Sequence, residues 1–319
     1  MIGQQLPLKP ICENAVTVVC CGNDAFLAPT AVLFRSIMDH ADHKRVYDLI
    51  FFHNGAQPRQ LEKLCSMARG NVSIRCRDIG DVLDGIGLSV ENRPELSLMT
   101  YARLLIPDLL SEDYSRALYL DGDMIALRDV AELYDTDLRG KPVGCSVDWG
   151  MLALHNQREE IRTYITETVG LADPERYCMS ALLMMDLPQL RRRFPSKQML
   201  RAGASRAWLW HDQDTVNHLF GEEILRLDPK WDVIVPDDGV DFMPKSWRER
   251  YDRALEHPYI FHFSGMLTKP WDNYLSPYAA EFWEIAARTP FYARLHYRLQ
   301  KAQNFGERQL WTEEIGRLK

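Results

Sequence analysis

The sequence predicts an α/β protein with a mostly parallel central sheet that is covered by helices on both faces. Apolar runs typical of buried strands alternate, up to Asp121, with segments whose apolar residues recur three and four positions apart. This alternation of strands and helices is the pattern of a parallel sheet. The chain has 319 residues, 46% of them hydrophobic, so it can bury a sizeable core.

The first part of the chain supplies four strands and three helices. Continuous apolar runs predict the strands, and helical spacing of apolar residues predicts the helices. In chain order the elements are a strand Ala15–Cys21, a helix Ala28–His40, a strand Val46–Asn54, a helix Gln57–Arg69, a strand Val72–Cys76, a helix Met99–Leu110 and a strand Arg116–Asp121. A loop with weak periodicity, which contains Gly85 and Gly87, is expected from about Gly80 to Pro94.

The second part of the chain is less regular. Its predicted elements are strands at Val143–Asp148, Ser180–Leu187 and Pro258–Gly265 and a helix that includes Asp214–Phe220. The sequence shows no internal repeat, low-complexity stretch or obvious linker, and its length suits one large domain or two smaller ones.

Composition excludes several classes of protein. The net charge of −7 provides no general attraction to nucleic acid, so we expect no nucleic-acid partner. The seven cysteines are scattered and include no CxxC pair, which predicts reduced thiols and a cytoplasmic protein. We expect neither a signal peptide nor a membrane-spanning segment, because no apolar run approaches the roughly 18 residues that a span needs.

The final segment, "FYARLHYRLQKAQNF", interleaves aromatic and basic residues at helical spacing. It has two interpretations. It is either a solvated helix packed on the body of the protein or a helix that makes peripheral contact with a membrane surface.

The stretch "YLDGDMIALRD" carries the first chemical signal. Asp121 and Asp123 directly follow an apolar strand, at the carboxyl end where ligands of open α/β sheets bind. In an extended segment, residues i and i+2 point to the same side about 6.5 Å apart. Two such carboxylates suit Mg²⁺ or Mn²⁺, and Gly122 between them allows a close approach of backbone or ligand.

Two other interpretations of this stretch remain open at this point. The aspartates could be solvated acids in a turn. Alternatively, Asp121 could be the nucleophile of a haloacid-dehalogenase-type phosphatase, although that pair usually lies on the first strand and is not followed by a residue like Met124.

Four stretches taken together resemble the retaining glycosyltransferases of family 8, which include bacterial lipooligosaccharide galactosyltransferases and related glucosyltransferases. They are "VTVVCCGNDAFLAP", "TYARLLIPDLL" with "RALYLDGDMIALRDVAELYDTDL", "HDQDTVNHLF" and "HFSGMLTKPW". The resemblance implies a GT-A fold, which is one Rossmann-like catalytic domain over 14–275, followed by a helical tail over 276–319. It implies transfer of a hexose from a UDP-sugar to a glycan acceptor with the help of Mn²⁺ or Mg²⁺.

The resemblance also implies roles for particular residues. Asp121, Asp123 and His262 would hold the metal ion. Lys269 and the backbones of Gly122 and Gly265 would lie against the diphosphate. The growing charge of the leaving diphosphate explains why such a site needs cations.

Further residues would contact the donor and the reacting sugar. Asn23 and Asp24 would bind the nucleoside, and Arg103 the donor sugar or its phosphate. Asp148 and Ser180 would face the substrates. Asp212 would bind sugar hydroxyls and Gln213 would stabilise the reacting centre, because an amide oxygen is a weak nucleophile and front-face attack is favoured over double displacement.

The sequence departs from the family pattern at several positions. Met179 and Ala181 replace an Asn and a Gly that contact the donor sugar in the family, and Ser180 could supply a polar contact instead. One extra residue separates Gly265 from Lys269. The changes at Met179 and Ala181 support an alternative, a degenerate module that binds a nucleotide sugar without turnover.

The acceptor implied by the resemblance is a growing cell-surface glycan such as a lipid-linked oligosaccharide. The protein would then act in the cytoplasm, with peripheral contact at the inner face of the membrane as an alternative arrangement.

Overall fold

A computed structural model describes residues 6–84, 98–237 and 239–303. The strands in this part of the chain are β1 Val16–Gly22, β2 Tyr47–His53, β3 Val72–Asp78, β4 Arg116–Leu120, β5 Met124–Ala126, β6 Val143–Val147, β7 Cys178–Asp186, β8 Ile224–Arg226, β9 Val233–Ile234 and β10 Ile260–His262. The loop predicted from about Gly80 to Pro94 begins instead with a short helix, Gly80–Asp84. The rest of that predicted loop, with Gly85 and Gly87, lies outside the described residues.

Helices cover the strands in chain order. The α-helices are α1 Asp24–His40, α2 Pro58–Cys65, α3 Gly80–Asp84, α4 Ile106–Leu109, α5 Ala131–Tyr134, α6 Trp149–Gln157, α7 Glu159–Thr163, α8 Leu187–Arg193, α9 Ser196–Ala204, α10 His211–Phe220, α11 Lys245–Glu256 and α12 Ala279–Ala286. Residues 292–303 are also helical and are called the C-terminal helix below.

The central sheet has seven strands in the order β3-β2-β1-β4-β7-β6-β8. Only β7 runs antiparallel to its neighbours β4 and β6, so the predicted mostly parallel α/β sheet is confirmed. A second sheet of three strands, in the order β5-β10-β9, lies next to it in the fold. The predicted strand at Pro258–Gly265 is therefore shorter than expected, and it belongs to this small sheet.

The alternation of side chains along β1 explains the layers. Val16, Val18 and Cys20 point into one apolar cluster, which contains α1 and the small sheet. Val19 points into a second cluster on the opposite face, formed with Leu104 and Leu105 and other residues of that layer. β1 is buried on both faces, which explains why its residues form one continuous apolar run.

The segment predicted as a helix over Met99–Leu110 begins differently. Leu98–Leu105 is a 3₁₀-helix, and Pro107 then lies near the start of the short helix α4. The tighter 3₁₀ turn places Arg103 inward, where its side chain is 7% exposed.

The end of the described chain packs on the same core as β1. Phe291 and Leu295 are 1% exposed and belong to the cluster around α1. This arrangement agrees with the packed-helix interpretation of the final segment as far as residue 303. In the part of the chain that the structure describes, no helix combines the length and apolarity needed to cross a bilayer.

Candidate active site

The two aspartates lie where the large and small sheets meet. Asp121 directly follows β4, and its backbone N–H donates to the carbonyl of Ala181 on β7 at 2.9 Å. The carbonyl of Asp123 accepts from the N–H of Phe263, next to β10, at 2.9 Å. The carboxylates are thus fixed between two sheets by backbone hydrogen bonds rather than displayed on a free turn.

Gly122 lies against α1. A Cβ added at Gly122 would collide with the side-chain oxygen of Thr30. The close approach that the sequence indicated at this glycine is therefore one between the β4–β5 connection and α1, and the glycine lets the aspartates sit this deep in the fold.

Pairing of β5 with β10 brings the third predicted metal ligand to the aspartates. Met124 is opposite His262 in this antiparallel pair. Ligand atoms of Asp121, Asp123 and His262 all lie within 4.8 Å of one another.

The donor set fits a divalent cation. Oδ1 of Asp123 is buried and has no hydrogen-bond partner among the described residues. Two carboxylates and one imidazole are ligands that Mn²⁺ accepts. The residues present therefore suit the predicted metal.

Asp232 fixes the orientation of His262. Its Oδ1 lies 2.9 Å from Nδ1 of His262, and both side chains are almost fully buried. With Nδ1 bound to a carboxylate, Nε2 faces Oδ1 of Asp123 at 3.5 Å. The sequence analysis missed Asp232, because it lies 30 positions before His262 and meets it only through the parallel pairing of β9 and β10.

Charges inside this cluster compensate one another. Burial alone would lower the pKa of His262, but the carboxylates of Asp232 and Asp123 raise it to about 10. Burial would likewise raise the pKa of Asp123, but the charges of Lys269 and His262 hold it below its ordinary value. Lys269 donates to Asp123 and, at 2.6 Å, to the carbonyl of Phe263. Its predicted contact with a phosphate stays a prediction.

Arg103 joins Asp121 of the candidate metal site to Asp212 on α10. Its Nη2 donates to Asp121 at 3.0 Å, and its Nε lies 3.1 Å from Oδ2 of Asp212. Its Nη1 donates to the carbonyl and the hydroxyl of Ser180 at 2.7 and 3.1 Å. The predicted contact of Arg103 with the donor is untested, and the guanidinium here holds two carboxylates in place.

Asp212 is surrounded by donors. Besides Arg103, it accepts hydrogen bonds from the hydroxyls of Ser180, at 3.0 Å, and of Thr100. Thr100 was not singled out from the sequence, although it directly precedes the "YAR" motif. A carboxylate held by three groups is a weak nucleophile, because its charge is already neutralised.

Gln213 is held at both ends of its amide. Its Nε2 donates to Oδ2 of Asp148 at 2.7 Å, and its Oε1 accepts from the N–H of Ser180 at 3.1 Å. Asp148 also caps α6 by accepting from the N–H of Met151. Burial raises the pKa of Asp148 to about 6.

The predicted nucleoside contacts lie at the start of α1. The side chain of Asn23 caps that helix by accepting from the N–H of Ala25 at 3.0 Å. Asp24 forms an ion pair of 2.6 Å with Arg294 of the C-terminal helix. Gly265 precedes a 3₁₀ turn at Met266–Thr268, and a Cβ added at Gly265 would lie 3.3 Å from the hydroxyl of Thr268.

The residues that depart from the family pattern lie on β7. Met179 is partly buried against the core of the α1 layer, and Ala181 is 2% exposed. Ser180 between them contacts Arg103, Asp212 and Gln213, so it links most of the polar network.

Comparisons with known proteins identify the family of the chain. The sequence profile described as "Glycosyl transferase family 8" matches residues 17–274. General stress protein A of Bacillus subtilis (strain 168) is 24% identical over 289 residues, which are 87% of this chain and 95% of that protein. Glycosyltransferase GlyF of Streptococcus pneumoniae serotype 4 is 24% identical over 273 residues, or 84% of this chain and 60% of that protein.

Solved structures show the same fold. The apo structure of the bifunctional glycosyltransferase WbbM has a TM-score of 0.82 at 24% identity over 92% of this chain, which corresponds to only 53% of that chain. Galactosyltransferase LgtC, solved in complex with donor and acceptor sugar analogs, has a TM-score of 0.69 at 21% identity over 86% of this chain and 96% of that one.

The fold is therefore that of the GT-A glycosyltransferases. The chain belongs to glycosyl transferase family 8, as the sequence motifs predicted. Membership of this family implies a nucleotide-sugar donor and a glycan acceptor, and it leaves the phosphatase interpretation without support.

Proposed function

We propose that the protein is a metal-dependent retaining glycosyltransferase that moves a hexose of the glucose or galactose type from a UDP-sugar to a glycan. The observation that carries this proposal is that ligand atoms of Asp121, Asp123 and His262 lie within 4.8 Å of one another at the carboxyl end of the central sheet. LgtC, a galactosyltransferase with the same fold, was solved with sugar analogs at both its sites, which supports a hexose donor.

The cation would be held by the two aspartates and Nε2 of His262. When bound, Mn²⁺ or Mg²⁺ would stabilise the negative charge of the leaving diphosphate. Lys269, which lies against Asp123, would add a positive charge on the same side. Asn23, Asp24, Gly122 and the Gly265 turn would border the rest of the nucleotide.

Transfer would proceed at the front face of the donor sugar. The bond between C1 and the phosphate oxygen breaks, and the acceptor oxygen bonds to C1 on the same face. The proton of the acceptor hydroxyl passes to the departing phosphate oxygen. The polar network supports this route, because Asp212 is engaged by three donors and both ends of the Gln213 amide are occupied.

The roles of the network follow from these contacts. Gln213, positioned by Asp148, would stabilise positive charge at the reacting carbon. Asp212 would orient sugar hydroxyls. Ser180 would hold Gln213 and Asp212 in position relative to Arg103. Its backbone N–H donates to Gln213, and its hydroxyl contacts both Asp212 and Arg103.

For the acceptor we propose a cell-surface oligosaccharide, lipid-linked as in lipooligosaccharide assembly, and the cytoplasm as the place of reaction. The family resemblance favours this kind of acceptor. The described cysteines are all free thiols, which suits a reducing compartment. Peripheral contact with the inner face of the membrane would bring the enzyme to a lipid-linked acceptor.

Thermal unfolding of the purified chain with Mn²⁺, UDP or both tests the donor site. A ligand that binds only the folded state raises the unfolding midpoint, so we expect a large shift that requires both. Asp123→Asn should lose that shift and all release of UDP from UDP-glucose or UDP-galactose while staying folded. Asp252→Asn, a change of an exposed acid on α11, is the matched control.

Two results would contradict the proposal. Normal turnover by Asp123→Asn would refute the metal assignment. A midpoint shift with UDP and Mn²⁺ but no release of UDP from any hexose donor would favour the degenerate binding module, for which Met179 and Ala181 are the supporting observation.

A further inference from the structure

A cavity of about 680 Å³ lies between the carboxyl ends of β1 and β2 and the C-terminal helix. Asn23 and Asp24 line it from the end of β1, and Asn54 lines it from the end of β2. Arg294, Tyr297, Arg298 and Lys301 of the C-terminal helix form the opposite wall. This volume is within the range of about 300–1,000 Å³ that small-molecule sites occupy.

The C-terminal helix is oriented by its own sequence. Phe291, Leu295 and Leu299 recur at a spacing of four and are 1%, 1% and 8% exposed, so this stripe faces the core. Arg294 and Arg298, also four positions apart, lie on the flank that faces the cavity. Packing of the apolar stripe therefore turns a basic stripe toward the end of the central sheet.

Two arginines attach this helix to the predicted donor site. Arg294 pairs with Asp24 at 2.6 Å. Arg298 pairs with Asp272 at 2.6 Å, and its Nη1 donates to the carbonyl of Ala25 at 3.0 Å. Pro29 has no N–H and so leaves that carbonyl without its usual partner inside α1. Pro29 of α1 thus leaves free the carbonyl oxygen of Ala25 that accepts the hydrogen bond from Arg298.

The cavity and the candidate metal site each have a cation next to the buried ring of Trp271. The guanidinium of Arg298 lies 5.8 Å from the centre of the Trp271 ring, and Nζ of Lys269 lies 6.0 Å from it. Lys269 in turn pairs with Asp123. A donor with its diphosphate near Lys269 would have to extend past this ring to place its nucleoside in the cavity.

Groups available to such a ligand remain in the cavity wall. Oδ1 of Asn54 is buried without a hydrogen-bond partner among the described residues. Lys301 pairs with no carboxylate of the described chain and lies 4.8 Å from the centre of the Tyr297 ring. Tyr297 is 59% exposed and is the aromatic ring that lines the cavity.

We propose that the C-terminal helix forms the outer wall of the nucleoside half of the donor site. This inference rests on the proposed function, in that the donor is a nucleoside diphosphate sugar. Tyr297 offers a flat face to the base, Asn54 offers an amide to the hydrogen-bonding edge of the base or to the ribose, and Lys301 adds positive charge. The C-terminal helix thereby belongs to the donor site instead of serving only as a membrane contact.

The test is calorimetric titration of the full chain with UDP in the presence of Mn²⁺. Base–aromatic stacking and a lost amide contact predict that Tyr297→Ala and Asn54→Ala each weaken UDP binding about tenfold. Lys301→Ala should weaken UDP binding about fivefold, and this loss of affinity should be smaller at high salt. The preference for UDP over CDP and GDP should narrow in the first two variants, an effect that a general loss of packing would not produce.

Tyr292→Ala is the matched control. Tyr292 lies on the same helix and is 42% exposed, but it packs on Trp283 rather than on the cavity. This variant should bind UDP as the unmodified chain does. The unfolding midpoint without ligand reports any loss of folding in each variant.

Three outcomes would overturn the inference. If UDP affinity and base preference are unchanged in Tyr297→Ala and Asn54→Ala, the cavity is not part of the donor site, while the proposed function stands. If the variants lose binding to phosphatidylglycerol vesicles instead of to UDP, the helix is a lipid-binding surface. If the unmodified chain binds no nucleotide, the proposed function fails as well.

Discussion

Replacement of Arg103 by methionine should destabilise the fold more than most single changes, although it keeps a side chain of similar length. The guanidinium makes contacts of 2.7–3.1 Å with Asp121, Asp212 and Ser180. The variant Arg103→Met would leave two carboxylates in the site without their shared cation. The side chains of Asp121 and Asp212 are only 25% and 8% exposed, so water cannot fully replace it.

The size of the stability loss depends on the hydrogen bonds that each carboxylate keeps in the variant. Loss of one partner from a buried ion pair costs about 3–5 kcal/mol. Asp121 retains the hydroxyl of Tyr119, and Asp212 retains those of Ser180 and Thr100. We therefore expect a loss at the lower end of this range, about 3 kcal/mol, which corresponds to a fall of roughly 4–5 °C in the unfolding midpoint of a chain of 319 residues.

Urea denaturation followed by tryptophan fluorescence measures this loss. In a double-mutant cycle, Asp121→Asn should recover part of the stability in the Arg103→Met background, because it removes one of the uncompensated charges. Arg162→Met, which breaks an ion pair on the surface of α7, should change little and serves as the control. If Arg103→Met is as stable as the unmodified chain, or if the two changes in the cycle are strictly additive, then Arg103 does not join Asp121 to Asp212 as inferred.

Two further perturbations test the surroundings of the site. Asp232→Ala should weaken Mn²⁺ binding about 10–100-fold, because His262 loses the carboxylate that orients it. Electron paramagnetic resonance of free Mn²⁺ without nucleotide measures this, with Asp252→Ala as the control, and an unchanged affinity would contradict the geometry. For Asp148, burial raises the pKa to about 6 in the folded state, so the folded protein binds more protons there than the unfolded chain. Stability from this group is therefore full below its unfolded pKa and falls as pH rises toward 6, by about 3 kcal/mol in all. Urea denaturation between pH 4 and pH 7 should show this pH dependence in the unmodified chain relative to Asp148→Asn, and a constant difference between the two would contradict it.

Much of the fold could be predicted from the sequence because its first half consists of local patterns. Val16, Val18 and Val19 all belong to one apolar run, and the alternation of side chains places them on the two faces of a strand. Helical spacing predicted the body of α1, although the cap at Asn23 starts that helix earlier than the apolar pattern suggested. Periodicity is a local property, so it is visible before any tertiary contact is known.

The same patterns did not predict the small sheet. The run at Pro258–Gly265 has the composition of any buried strand, and nothing in it says which strands it joins. Its pairing with β5 and β9 depends on where the chain returns after α11. The 3₁₀ turn at Leu98–Leu105 was also read as α-helix, because spacing of three and spacing of four are hard to separate over so short a segment.

The sequence by itself determined the family to which this protein belongs. The aspartates after β4, the "HDQD" segment and the "HFSGMLTKPW" segment identified the family. They also predicted as metal ligands three residues, Asp121, Asp123 and His262, that the fold does bring together. Only the tertiary structure decided how those groups are held. Asp232 reaches His262, Arg103 reaches Asp212, and Arg298 reaches Asp272 and Ala25 across sequence separations that no periodicity spans. Such contacts arise when whole layers pack, because burying a charge requires a partner, and the packing of the layers selects which partner is within reach.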